Sequence, residues 1–536
     1  MNSEQYISLV RRLEKQAKAN PKVYRFRVTA LSVLGYAYIL GILLVPAALL
    51  ITTAALFWSN PALLFILAKV LGKFLIVLAA LVAGIFTAFG GALRSFFRGV
   101  AQPEGIRLSR EAFPEFFQTL DEITKSVNSP KPSSVLVGPD FNAAVLTVPR
   151  FGFFGSKTYL MIGLPLMEAV SSEHFRAILA HEIGHISRNH GTNTSWIYQL
   201  RETWARFLEN QELSESNKIE FLYTGFVNWY FPYFNAYSFV LAREQELEAD
   251  RMAAELYGAK PLAESLIMVH VKGDYLDREY WKNVFDGAKS SNKPPDEVYS
   301  NMQRAFRRER NEASEMIALS KALKVRTDYN DTHPSLSDRL DFLNYDAVKN
   351  GSLEKLPAKA KTSAAEDYFG SYAENWTKEF DRMWKNDVYS FWNDLNGQWR
   401  EARKRIDQLK EKHEKKEITE DELLELADLC GSDEGEDAAA GLYRELLEID
   451  PTNAAANFFL GIYYLNKDDQ KGVELLEDSM KLDVMLTVAA CENLYAYCFS
   501  KHREEEAMEY LRKADSFVES LYAANLERRR VDVSDE

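Results

Sequence analysis

The chain has 536 residues, of which 47% are hydrophobic and 26% charged, and its formal net charge is −14. This length allows several domains and a large buried core. The negative charge argues against a general nucleic-acid binder, and the sequence has no basic stripe with interleaved aromatic residues. Three cysteines without CxxC or zinc-ribbon spacing favour reduced, packed thiols over a disulfide framework; they are Cys430, Cys491 and Cys498.

Two long apolar stretches follow a basic N-terminal segment, residues 1–27. Residues 28–58 contain no charged side chain, and after Lys69 and Lys73 a second stretch is free of charge from 74 to 93. About 20 apolar residues span a bilayer, and a signal peptide has a shorter apolar region. We therefore predict a hairpin of two transmembrane helices within residues 28–93. A buried hairpin in a protein core is the alternative.

Lysine and arginine residues predict the orientation of this hairpin. They are frequent before the first stretch, absent from the turn at 58–61, and present after the second stretch as Arg94 and Arg98. Cytoplasmic flanks of membrane spans are enriched in these residues. The sequence thus predicts a two-span protein of the bacterial inner membrane, with both termini in the cytoplasm and the lipid bilayer as a partner.

Residues 102–350 are predicted to form one domain that begins with a small sheet. Three short β-branched and aromatic runs bounded by Gly, Pro and Asn are typical of strands; they are Ser134–Val137, Ala144–Val148 and Thr158–Ile162. The third run comes just before a predicted helix that contains the motif described next. We expect an extended peptide to pair with this strand by main-chain hydrogen bonds.

The most informative motif is HExxH at residues 181–185. On a helix, His181 and His185 project from one face and can bind the same metal ion. Glu182 lies beside the first histidine and can take a proton from water. A catalytic zinc needs three protein ligands, and Glu246, in the run REQELEAD at 243–250, is the candidate third ligand. The cofactor predicted is one Zn²⁺ per chain.

The residues around this motif indicate which kind of HExxH zinc site is present. Phe175–Ala180 has the apolar spacing of a helix, which is where the motif must lie. A metzincin would have glycine and histidine where this chain has Arg188 and Gly191. That class is excluded, and a zinc site completed by glutamate is favoured. The alternative is a surface helix with two incidental histidines.

The segment 219–242 is rich in aromatic residues and has few charges. A third membrane span is one interpretation. However, it would place Glu246 on the opposite side of a membrane from His181. Asn228, Pro232, Asn235 and Ser238 also make the segment poorly suited to face hydrocarbon. We therefore predict a buried or interfacial helix over the active site.

Residues 351–365 are predicted to be a linker rich in Lys, Ala, Pro and Ser, followed by a helical segment at 366–418. In that segment Trp376, Trp384, Trp392 and Trp399 recur every eight or seven residues, close to whole helical turns. This aromatic face is predicted to pack against the preceding domain, with contact to a membrane surface as the alternative.

Residues 419–536 contain a partial repeat with a period near 34. Leu460, Gly461 and Tyr464 correspond to Leu494, Tyr495 and Cys498. Helix pairs with this period resemble tetratricopeptide repeats, although the glycine is replaced in the second copy. Stacked repeats offer a concave surface, which predicts an adaptor protein as a possible partner. An ordinary helical domain is the alternative.

Taken together, HExxH, REQELEAD and Thr332-His333-Pro334 resemble one zinc metallopeptidase family. It contains the HtpX heat-shock protease, the CaaX prenyl proteases and periplasmic relatives with tetratricopeptide repeats. The resemblance covers roughly residues 100–350. HtpX-like members have further spans between the zinc motifs, CaaX proteases have many more spans, and the periplasmic relatives are exported.

The resemblance implies roles for four further residues. Asp250 would accept the second N–H of a histidine ligand and so hold its tautomer. Asn142 matches an asparagine that borders the cleft and binds substrate backbone. His333 matches a histidine that stabilises the developing oxyanion or caps the zinc as a removable fourth ligand. Arg339 matches an arginine of structural or cleft-lining use.

The predicted fold is mostly α-helical, with an α+β zincin-like domain between the membrane hairpin and the helical repeats. The predicted function is a membrane-anchored zinc endopeptidase for protein or peptide substrates, in membrane-protein quality control. Two alternatives remain open: a CaaX-type protease for lipidated tails, and a catalytically inactive membrane scaffold that carries repeats.

Overall fold

A computed structural model shows a mostly helical protein with one four-stranded sheet. The structure describes residues 3–59, 103–151, 154–187, 221–308, 312–325, 333–346, 348–349, 352–353, 356–501 and 505–518, together with the single positions 197, 200, 201, 204, 503 and 520. The predicted fold class is confirmed in its mostly helical character and its small sheet.

The two N-terminal helices pack against one long helix from the middle of the chain. Helix α1 is Ser3–Ala19, α2 is Pro21–Ser59 and the long helix, α6, is Phe221–Tyr257. Their contact is a cluster of buried apolar side chains that includes Val10, Leu13, Tyr24, Val28, Tyr230, Phe234, Phe239 and Val240. Burial of this many large side chains is the main stabilising contribution to the contact.

The predicted location in a membrane is wrong, because no helix in the described ranges is both long and apolar enough to cross a bilayer. The first predicted span coincides with α2, where Val28 and Ser32 are fully buried. There the Tyr230 hydroxyl donates to the Leu31 carbonyl over 2.9 Å. An uncharged stretch suits a protein partner as well as lipid, and here α6 covers its first turns. The second predicted span, 74–93, lies outside the described residues.

The sheet contains the three predicted strands and one short addition. Its strands are β1 (Ile106–Arg107), β2 (Ser134–Gly138), β3 (Ala143–Phe151) and β4 (Phe154–Gly163). Their order is β1-β2-β4-β3, with β2 and β4 parallel and the other two pairs antiparallel. Strand β4 is therefore internal, and β3 lies at one edge.

Helices from both sides of α6 in the sequence surround this sheet and form the largest buried core. They are α3 (Pro114–Ser126), α4 (Leu164–Ala169), α5 (Ser172–Gly184), α7 (Ala259–Tyr275), α8 (Trp281–Asp286), α9 (Val298–Arg307), α10 (Glu312–Lys324) and α11 (Leu336–Phe342). A π-helical turn at Leu276–Tyr280 joins α7 to α8. The segment predicted to be a buried or interfacial helix lies in α6, where Tyr230, Phe234 and Phe239 are almost fully buried. Its position over the active site stays a prediction.

The tryptophan-rich segment is one 44-residue helix, α13 (Ser371–Glu414), preceded by the short α12 (Ala364–Phe369). Its four tryptophans face the preceding domain. Trp376 contacts the ring of Phe113, Trp384 contacts Trp281, and the Trp392 indole donates to the Ser291 carbonyl over 2.9 Å. The predicted packing of this aromatic face is therefore confirmed.

The C-terminal part of the chain is built from paired helices. They are α14 (Glu420–Asp433), α15 (Glu436–Ile449), α16 (Ala454–Asn466), α17 (Lys471–Leu482) and α18 (Thr487–Ser500), followed by helical residues 505–518. Two glycines let α16 and α17 come close, because a Cβ at Gly472 would lie 2.5 Å from the Gly461 carbonyl oxygen. Assignment of these pairs to tetratricopeptide repeats stays a prediction.

Candidate metal centre

Helix α5 carries the HExxH motif, and its ends are defined by local chemistry. At its start the Ser171 side chain accepts a hydrogen bond from the His174 backbone N–H over 3.2 Å, a standard N-cap. At its end, His181 and His185 lie one turn apart, with their ring planes perpendicular and their centroids 4.8 Å apart. Both rings therefore face α6, the helix that brings Glu246.

The three predicted ligands lie together, although Glu246 is distant from the histidines in sequence. The two Nε2 atoms of His181 and His185 are 3.2 Å apart. The Glu246 carboxylate lies 3.6 Å from His181 Nε2 and 3.5 Å from His185 Nε2. Ligands of a tetrahedral zinc with bonds of 2.0–2.1 Å lie about 3.4 Å from one another. The donor set therefore has the size and chemistry of a zinc site, and it is the three-residue candidate found among the described residues.

A buried ion pair between Asp250 and Arg339 contacts His181 on the side of its Nδ1 atom, away from the donor set. Asp250 Oδ1 lies 2.9 Å from His181 Nδ1, and the Arg339 guanidinium donates to both Asp250 oxygens over 2.6 and 2.8 Å. Asp250 is fully buried, and Arg339 is 8% exposed. With Nδ1–H donating to Asp250, the Nε2 lone pair of His181 points into the donor set. Arg339, which comes from α11, compensates the charge of the aspartate.

Electrostatics at the donor set favour a cation. Burial opposes protonation of His181, but Asp250 and Glu246 outweigh it and raise the pKa of His181 to about 9. Burial would raise the pKa of Glu246, yet His181 and His333 hold it well below its usual range. The Oε2 atom of Glu246 is buried and lies 3.6 Å from His181 Nε2 and 3.1 Å from His333 Nδ1. A buried carboxylate oxygen of this kind suits metal coordination.

Glu182 lies next to the first histidine on α5. Burial is the main cause that raises the pKa of Glu182 to about 7. The charge of Glu246 acts in the same direction, and His181, Arg339 and His333 oppose it. A carboxyl group with a pKa near neutrality can accept and return a proton at physiological pH. The position and chemistry of Glu182 therefore suit a general base.

The remaining two predicted site residues differ in their relation to the donor set. His333 comes from the segment before α11, and its Nδ1 lies 3.1 Å from Glu246 Oε2, with 64% of the side chain exposed. Asn142 precedes β3, where its carbonyl accepts from the Gly163 N–H over 2.7 Å. The Asn142 side chain is exposed. No hydrogen bond in the described part of the chain joins it to the donor set.

The strand that can pair with a peptide differs from the expected one. The sequence favoured 158–162, but this run belongs to β4, which pairs with β2 on one side and β3 on the other. Strand β3 is the outer strand of the sheet and contacts α5. An edge strand has backbone groups available for a further strand. The candidate peptide-binding strand is therefore β3.

Sequence reasoning also missed the role of a glycine inside the motif. A Cβ at Gly184 would lie 3.3 Å from both Cα and Cβ of Ala249 and 3.1 Å from Met252 Cε. Gly184 and Ala249 thus form a close contact between α5 and α6, three residues from the predicted ligand Glu246. The signal was present in the sequence as one small residue within each of the two motifs, but only their contact in the structure shows its role.

An HExxH helix with a glutamate brought beside it by a second helix is the arrangement of a metallopeptidase. Residues 114–347 match the family model of peptidase family M48. No curated protein matches the chain. The matched residues contain α3 to α11 and the whole donor set, so this part of the chain belongs to peptidase family M48, and the protein is a metallopeptidase.

Proposed function

We propose that this protein is a zinc-dependent endopeptidase that hydrolyses peptide bonds within unfolded protein segments. The observation that supports it most is the set of three donors 3.2–3.6 Å apart, contributed by His181, His185 and Glu246. Zinc in such a site supplies Lewis acidity, which polarises a carbonyl and lowers the pKa of water.

The residues around the donor set have complementary roles in the proposal. Glu182 takes the proton of the attacking water and returns it to the leaving amine. Asp250 and Arg339 hold the His181 ring in the tautomer whose Nε2 atom is free to bind. His333 has its ring at the exposed side of Glu246, where it can stabilise a developing oxyanion or block the site as a latch.

The edge strand β3 indicates the conformation of the substrate. A peptide that pairs with β3 must be extended, and main-chain hydrogen bonds would hold it with little dependence on sequence. Native folded proteins rarely offer such a segment, whereas unfolded proteins do. This favours unfolded proteins as substrates and a role in protein quality control. The paired helices after residue 419 remain the predicted site for an adaptor.

The substitution Glu182→Gln tests the proposed reaction. It keeps the size of the side chain but removes the base, so we expect zinc content near one per chain and a loss of cleavage of about 10²–10⁴-fold. The measurement pairs metal analysis of the purified chain with hydrolysis of an unfolded protein such as denatured casein. Wild-type protein with and without a chelator is the control.

Two outcomes would contradict the proposal. Cleavage that survives in Glu182→Gln would show that another group acts as the base. A wild-type chain that binds zinc but cleaves no unfolded protein would favour the inactive scaffold predicted as an alternative.

A further inference from the structure

The N-terminal helix α1 lies against the part of α6 that carries the proposed ligand Glu246. We propose that the ion pair between Glu14 and Arg243 positions the Glu246 carboxylate for metal binding. Glu14 and Arg243 are positioning residues in this proposal, because neither touches the donor set. The inference rests on the proposed function, since it concerns the same metal site.

Apolar packing fixes α1 on α6. Val10, Leu13 and Ala17 recur on one face of α1 and are at most 1% exposed. They belong to the same buried cluster as Phe239 and Val240 of α6. Residues at these spacings form one stripe of a helix, so α1 can dock in one orientation. That orientation presents Glu14, next to Leu13, to α6.

The ion pair that results has a defined geometry. Glu14 Oε1 lies 2.8 Å from Arg243 Nη1, and the two side chains are 33% and 11% exposed. The Arg243 guanidinium also lies over the Phe239 ring, 4.3 Å from its centroid. A partly buried ion pair is screened less by salt than a surface pair. Loss of one partner leaves the other as an unpaired charge with little access to water.

Arg243 precedes Glu246 by three residues, so both lie in the same turn of α6. A displacement of the Arg243 side chain therefore also displaces the turn of α6 that holds the proposed ligand Glu246. Pro232 lies inside the same helix, 11 residues before Arg243, and proline removes a backbone hydrogen bond and bends a helix. Contact with α1 therefore helps to stabilise the part of α6 that follows Pro232.

A second ion pair on the same helix provides a matched control. Arg25 and Glu248 approach to 3.3 Å, with 48% and 30% of their side chains exposed. A pair this exposed contributes little, because water screens it. Arg25→Gln removes a cation of the N-terminal region that touches α6 two residues after the ligand. It should leave metal binding unchanged.

The test uses the full chain and compares Glu14→Gln, Arg243→Gln and Arg25→Gln with the wild type. Zinc affinity is measured by competition with a chromophoric chelator, and the visible spectrum of the Co²⁺-loaded protein reports the ligand geometry. We expect zinc affinity to fall about three- to tenfold in the first two variants. Their Co²⁺ bands should shift, and Arg25→Gln should match the wild type.

Two further variants separate positioning from loss of folding. Arg243→Lys keeps the charge and should retain most of the affinity. Combining Glu14→Arg with Arg243→Glu restores opposite charges and should recover zinc affinity that each single reversal loses. Wild-type affinity in Glu14→Gln, an equal loss in Arg25→Gln, or no recovery in the double reversal would each overturn the proposal. A wild-type chain that binds no zinc would instead refute the proposed function itself.

Discussion

Gly184 lies at a close contact between α5 and α6, where its lack of a side chain leaves room for the backbone of Ala249. The nearest atoms to an added methyl group include the Ala249 backbone, which cannot rotate away as a long side chain can. Extra volume at a tight contact moves the backbone or strains the core. At this position the backbone that would move also carries Glu246.

Gly184→Ala is therefore expected to weaken zinc binding and lower kcat/KM by about tenfold, because α6 must shift by a few tenths of an ångström. The same change improves helix propensity by ~1 kcal/mol. The melting temperature of the metal-free protein should therefore decrease only slightly. Zinc titration and melting of the metal-free protein measure the two effects.

Gly273→Ala is the matched control for this substitution. Gly273 lies near the end of α7, and a Cβ there would meet nothing within 4 Å. It should leave zinc affinity unchanged. If both alanine variants bind zinc as the wild type does, close packing at Gly184 has no part in assembling the site.

Among the helices, a buried carboxyl group joins three elements that are far apart in sequence. Glu168 of α4 accepts hydrogen bonds from Gln303 of α9 over 2.6 Å and from Thr377 of α13 over 3.2 Å. Burial raises the pKa of Glu168 to about 8, although these two hydrogen bonds lower it. This contact helps to attach α13 to the peptidase domain.

Stability should depend on pH through Glu168. Between its ordinary pKa of 4.5 and about 8, the folded protein holds a proton that the unfolded chain has lost. Its contribution to the free energy of unfolding is therefore constant below pH 4.5 and decreases as pH rises to about 8. Glu168→Gln removes this decrease. Between pH 5 and 8, the free energy of unfolding of the variant should therefore rise by ~2–4 kcal/mol relative to that of the wild type.

Melting temperature against pH measures this effect. Glu374→Gln, on the exposed side of α13, is the control and should follow the wild type at every pH. A pH profile of Glu168→Gln parallel to that of the wild type would mean that Glu168 is ionised in the folded protein.

At the scale of the whole molecule, the proposed metal site would cross-link distant segments of the chain. His181 and His185 come from α5, Glu246 comes from α6, and Arg339 of α11 supports them through Asp250. A ligand that binds only the folded state stabilises it according to its concentration relative to Kd. Bound zinc should therefore stabilise the helices around the sheet together.

We expect zinc at a thousandfold excess over its Kd to stabilise the protein by ~4 kcal/mol and to raise Tm by several degrees. Thermal melts with zinc, with a chelator and with Mg²⁺ measure this, and Mg²⁺ should have no effect because it prefers oxygen ligands. His185→Ala should melt at one temperature with and without the chelator. A zinc effect that persists in that variant would place the stabilising ion elsewhere.

The amino-acid sequence determined the local features of this protein. The strands, the helix that carries HExxH and the aromatic helix follow from short spacings and residue types, and Glu246 was chosen from the motif REQELEAD. These features are predictable because helix and strand periodicity act within a few residues. The family match to residues 114–347 agrees with them.

Only the tertiary structure decided which surfaces cover one another. It made β3 rather than β4 the outer strand, placed Gly184 against Ala249, and covered the start of α2 with Tyr230. The run at 28–58 carries no charged side chain, but the absence of charge does not say whether lipid or another helix is its neighbour. Tyr230 lies 199 residues from Leu31 in the sequence, so folding of the whole chain selects this neighbour.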